Sequence, residues 1–156
     1  MLIKNHRGQS GLWGYSISGD LPIVLLQIGD SEKIDLVRQL VQAHAYWRLK
    51  GLAVDLVILN EEHAGYRQVL HEQVMGLIAA DIATIPAGRT GAIFVRSADQ
   101  MSPEDRILLQ TVARATISDV QGSLADQVAR RGPREQVQSR QSRLKDCPAM
   151  PTCARR

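Results

Sequence analysis

The polar residues with chemical potential gather where apolar runs end. Asp30 follows the run at residues 21–28, Asn60, Glu61 and Glu62 close the run at 53–60, and Ser97 and Asp99 follow residues 91–96. If those runs are parallel strands, Asp30, Asn60, Glu61 and Asp99 sit at the carboxyl ends of one sheet, where open α/β sheets take ligands. Carboxylates there suit a cation or the hydroxyls of a sugar. The same residue types suit capping of the helices that begin just afterwards, which needs no ligand.

A second cluster is Gly11, Trp13, Gly14, Tyr15, Gly19 and Asp20, all within the ten residues 11–20. Such spacing predicts a constrained loop rather than filler. Trp13 and Tyr15 offer ring faces that stack on a sugar or pin the loop to a neighbouring domain, with Asp20 beside them. The glycines precede a strand, so they are no dinucleotide fingerprint, which follows one.

The remaining chemistry is sparse. His6, His44, His63 and His71 share no metal-site spacing. His44 falls on an apolar helix stripe, the ordinary place of a core histidine. Glu61 and Glu62 are adjacent in a loop, which does not make two carboxylates face each other across a substrate. No nucleophile elbow, phosphate loop or zinc-protease motif occurs. The sequence predicts no metal and no cofactor, and names no reaction by its chemistry.

The elements that must position these residues follow from periodicity. Residues 21–28 read as a strand buried on both faces, with Pro22 at its start. A helix capped by Asp30 or Ser31 runs to about Lys50 with Leu36, Val37, Leu40, Val41, His44 and Trp47 on its stripe, and Gly51 stops it. Residues 53–60 repeat the strand. Gly65 or Tyr66 to Ala80 repeats the helix, with Tyr66, Val69, Leu70, Gln73, Val74 and Leu77 on one face. After a loop at 86–90, residues 91–96 form a third strand. Ser102, Pro103, Glu104 and Asp105 then open a helix to about Ile117. A short helix at 123–130 follows. The expectation is an α/β fold: a three-stranded, mostly parallel βαβαβα sheet with flanking helices, in which either consecutive pairing or a central first strand is allowed.

The chain divides into a glycine- and aromatic-rich lead-in at 1–20, an α/β domain at 21–130, and a disordered basic tail at 131–156. Residues 130–156 hold eight Arg and Lys against Glu135 and Asp146, a charge of +6, so the other 129 residues sum to −3 within the total of +3. Aromatic residues are 4% of the chain, too few for a base-stacking platform. With the basic charge confined to the tail, nucleic acid is disfavoured as a partner. Cys147 and Cys153 match no zinc or redox spacing. No apolar stretch approaches the roughly 20 residues that span a bilayer, and the N-terminus is no signal peptide. A soluble, cytoplasmic chain is expected.

Residues 12–25 (LWGYSISGDLPIVL) resemble a segment of the bacterial cyclic β-1,2-glucan synthases. Residues 43–52 (AHAYWRLKGL), 54–61 (VDLVILNE), 93–96 with 98–100, and 122–124 continue the match in order. The resemblance implies kinship with very large inner-membrane proteins. These join a membrane-embedded glycosyltransferase using UDP-glucose to a phosphorylase-like region acting on β-1,2-glucan. The matched part resembles an α/β segment near that region, and no known catalytic residue falls on a matched position. From about Gly132 the likeness ends. The expectation is therefore a truncated fragment of such a synthase, not a complete enzyme, with a structural or glycan-contacting role. Its partners would be β-1,2-glucan or the remaining synthase domains. The alternative is an independent small α/β ligand-binding protein or enzyme, with its site at the strand ends.

Overall fold

A computed structural model describes residues 7–62, 67–82 and 91–130. A 3-10 segment (Gln9–Tyr15) leads into β1 (Ile23–Ile28), α1 (Ile34–Leu49), β2 (Asp55–Asn60), α2 (Arg67–Ile82), β3 (Ile93–Ser97), α3 (Pro103–Val112), β4 (Ala115–Ser118) and α4 (Leu124–Arg130). His6, His63, Tyr66, the loop at 86–90 and the tail at 131–156 with both cysteines lie outside the described residues.

The α/β class and the parallel sheet are as expected, but the sheet has four strands rather than three, in the order β3-β2-β1-β4. The first three strands pair consecutively, and β4 lies on the other side of β1. The correction falls on residues 102–117, which read as one helix because their apolar spacing runs on past Pro103 without a further Gly or Pro. Instead Ala113 turns extended, with ψ 128°, and the Arg114 N–H donates to the Ile23 carbonyl at 2.8 Å. Ala115–Ser118 then pairs with Val24–Gln27 of β1. Thr116 and Ile117 are β-branched and favour this conformation. A strand of four residues is too short to show its own period, so the open edge of β1 decides the outcome.

Side chains alternate across the sheet. Val24, Leu26 and Ile28 of β1 join Leu56 and Ile58 of β2 on one face, under Leu36, Val37, Leu40 and Val41 of α1 and Leu70, Val74 and Ile78 of α2. The buried line of α2 is thus Leu70–Val74–Ile78, whereas Val69 and Gln73, expected on the packed face, are exposed. Ile23, Leu25, Val57 and Leu59 point to the other face, under Leu108 and Leu109 of α3. One ten-residue helix cannot cover that face. Leu12 and Ile17 of the lead-in segment complete it, both fully buried.

Polar clamps fix the ends. Asp30 caps a 3-10 turn, Ser31–Lys33, that precedes α1. Gly51 ends α1 with φ +80°, and Ser102 caps α3 with Pro103 in its first turn. His44 is buried, with Nε2 2.9 Å from the Val54 carbonyl oxygen, the core role its stripe position suggests. Gln127 of α4 is buried too. Its amide donates to the Ser118 and Gly122 carbonyls at 2.7 and 2.9 Å and accepts from the Ser118 N–H at 3.1 Å. It thereby satisfies the last residue of β4 as a further strand would.

Candidate functional site

In this sheet order the crevice that usually takes a ligand lies between the carboxyl ends of β1 and β4, where the winding reverses. In many such folds, backbone N–H groups there hold a phosphate. Here the chain fills the position itself. The Asp119 carboxylate, just beyond β4, accepts from the N–H groups of Gly29 and Asp30 at 2.8 and 3.0 Å. An anion arriving there would meet a resident negative charge. Asp119→Ala should therefore leave two donors at the end of β1 to water and lower stability by about 1 kcal/mol, the usual size of a lost cap, as read by urea unfolding. An unchanged midpoint would show that the contact is idle.

The expected strand-end residues are each placed by local structure. Asp30 is exposed, and its Oδ1 accepts from the Glu32 N–H at 2.9 Å. Asn60 is buried and accepts from the Glu62 N–H at 2.9 Å. Glu61 accepts from the Gln27 side-chain amide at 2.8 Å. Asp99 is exposed in the 3-10 turn Ala98–Gln100 after β3. Asp30 and Asn60 thus make the local bonds that the capping reading calls for, while Glu61 is held across β1 and β2 by Gln27. Among the described residues no group of three or more His, Cys, Asp or Glu could hold a metal ion.

The lead-in residues separate. Asp20 lies at the opposite end of the sheet, beside the amino ends of β1 and β4, where it lines a groove with Thr111 and Arg114. Trp13 is 64% exposed, and its indole N–H donates to the Ser18 carbonyl at 3.3 Å, so the ring is presented outward. Tyr15 instead faces in. Its hydroxyl donates to Asp105 Oδ2 at 2.9 Å, and its carbonyl accepts from Arg96 Nε and Nη2 at 2.9 and 2.6 Å.

Asp105 is the polar centre that the sequence reading missed, having taken it only as an acid in a first helical turn. It is buried and receives Tyr15, the Ser102 hydroxyl at 2.8 Å and Arg7 Nη1 at 2.9 Å. Burial pushes its pKa up, but the hydrogen bonds from Ser102 and Tyr15 and the Arg7 charge outweigh burial and hold it below the ordinary value. Burial, then the bond to Asp105, push the Tyr15 hydroxyl upward. The cluster ties the lead-in segment to α3.

No protein-family model matches the chain. The resemblance read from the sequence is borne out by a relative, the cyclic β-(1,2)-glucan synthase NdvB of Rhizobium meliloti, 33% identical over 123 residues. The match takes in 78% of this chain but only 4% of that protein's length. Among the described residues no helix is long and apolar enough to cross a membrane.

Proposed function

We propose that this chain, related as it is to one segment of the cyclic β-(1,2)-glucan synthases, is a non-catalytic structural module of a synthase of that kind. The observation that carries the reading is the self-filled switch point: Asp119 occupies the donors of Gly29 and Asp30 that a ligand would use. The outward contact is Trp13. Its fixed, exposed indole suits a neighbouring domain of the synthase or a passing β-1,2-glucan, whereas Tyr15 is committed to Asp105.

Titration of the ¹⁵N-labelled protein with linear β-1,2-glucooligosaccharides separates these contacts. A dispersed spectrum that ignores the sugar is the expected result and supports a domain contact. Shifts centred on the Trp13 indole N–H would make the module glycan-contacting, and shifts at Asp30, Asn60, Glu61 and Asp99 would overturn the structural reading in favour of a strand-end site. One feature favours that second reading: a groove of about 320 Å³ beside the switch point, lined by Glu32, Lys33, Asp35, Gly122 and Ser123.

A further inference from the structure

The lead-in segment is bonded to itself rather than to the sheet. Among the described residues, every backbone–backbone hydrogen bond of residues 8–20 stays within the segment. The N–H groups of Gly11, Ser16 and Ile17 donate to the carbonyls of Gly8, Trp13 and Leu12 at 3.0, 3.0 and 3.3 Å. The Gln9 amide closes the loop, donating to the Ser18 carbonyl at 2.8 Å and to Asp20 Oδ1 at 3.3 Å. The first main-chain tie to a strand comes later, at Pro22, whose carbonyl accepts from the Asp55 N–H at 2.9 Å.

Side chains seat the segment on the second sheet face. Leu12 and Ile17 are its two apolar pegs. Gly11 brings the backbone flush with α3, since a Cβ there would stand 2.8 Å from Leu108 Cδ2. Tyr15 supplies the polar holds, through its hydroxyl on Asp105 and its carbonyl under Arg96. β1 and β2, by contrast, are paired along their whole length. Losing the segment would bare Leu25, Leu59, Leu108 and Leu109 and break no rung of the sheet. Segments with few main-chain ties are the ones that open below the global stability.

We infer that residues 8–20 form a clip that comes off the second sheet face as one unit while all four strands stay paired, and that the Tyr15–Asp105 bond is its latch. Closed, the clip seals the apolar face beside α3. Open, it gives access to that face. A short 3-10 segment does not hold its turns in water, so its own amides report the opening. Neither the clip nor its latch requires a partner for Trp13.

Native-state hydrogen exchange of the intact chain in low urea is the direct test. The Gly11, Ser16 and Ile17 amides should share one protection factor, about tenfold or more below that of Leu25 and Val57. Protection equal to that of Leu25 and Val57 would overturn the inference, as would three unrelated values or exchange at the unstructured rate. Tyr15→Phe and Asp105→Asn should each lower the clip's protection about tenfold, the scale of one hydrogen bond to a charged group. Because the two groups form one latch, the double variant should lose clearly less than the roughly hundredfold product of independent losses. A full product would refute the latch. Pulling both pegs, with Leu12→Ala and Ile17→Ala together, should bring the three amides to the unstructured rate while Leu25 and Val57 stay protected. Collapse of both sets at once would show that the segment is part of the global fold and no clip.

Discussion

Asp105→Ala is expected to cost about 3 kcal/mol, within the range for removing one partner of a buried charged network. The carboxylate receives Tyr15, Ser102 and Arg7, and its loss leaves the first two half-buried without their acceptor. Arg7 adds little, because its side chain is 49% exposed and solvent screens the pair. The damage should concentrate in residues 7–20, since Tyr15 fastens the segment that buries Leu12 and Ile17. Asp105→Asn should cost about half as much, because an amide keeps an acceptor while losing the charge.

The same contacts set a pH dependence. The folded pKa of Asp105 lies below its ordinary value of 3.8, so the folded state favours the carboxylate. Its contribution is fully present above pH 4 and is lost as pH falls through the folded pKa. Tyr15 shifts the other way, so its contribution holds below its ordinary pKa of 10.0 and is lost as pH rises through the raised value. Urea unfolding of wild type and Asp105→Ala should therefore show a constant gap from pH 5 to 9 that closes in acid. A gap unchanged down to pH 2 would mean that the charge on Asp105 contributes nothing.

Gly91→Ala is expected to cost about 3 kcal/mol through a clash of backbone rather than a lost contact. Gly91 has φ +99°, and a Cβ there would stand 2.5 Å from the Val54 carbonyl oxygen. The approach is forced from both sides. The Ala92 N–H donates to the buried Asp55 carboxylate at 3.0 Å, and the Leu56 N–H donates to the Ala92 carbonyl at 2.9 Å. The start of β3 is thereby clamped onto β2, and neither strand has room to withdraw. Gly51→Ala is the matched control, since Gly51 has φ +80° but nothing within 4 Å of the added carbon. It should lose only about 1 kcal/mol, the cost of a left-handed residue without a clash. Thermal or urea unfolding of both variants measures the difference, and equal losses would show that the Val54 carbonyl gives way.

Together these effects describe a module whose polar side chains are spent on holding its own backbone. Asp55 clamps β3, Asp105 fastens the lead-in segment, Asp119 closes the switch point and Gln127 completes the edge of β4. A sheet finished in this way leaves the Trp13 ring on its outward surface.

The amino-acid sequence by itself determined the α/β class, the parallel crossovers and the relation to a glucan synthase segment. The physical reason is locality. The buried strands are continuous apolar runs, α1 carries a stripe at helical spacing, Gly51 stops it and Ser102-Pro103 starts α3, all visible within a few residues. The capping roles of Asp30 and Asn60 were legible for the same reason, since each bonds a backbone N–H two residues on. The tertiary structure alone decided what depends on partners distant in the chain. β4 exists because the edge of β1 is open to it, ninety residues away. Asp105 looked like an ordinary helix-start acid until the fold brought Tyr15 to it, and nothing near Asp119 in the chain signalled its bond to Gly29. Tyr15 and Trp13 were inseparable as neighbours in the sequence. The 3-10 segment turns one ring toward α3 and the other to solvent, a division that only the fold makes.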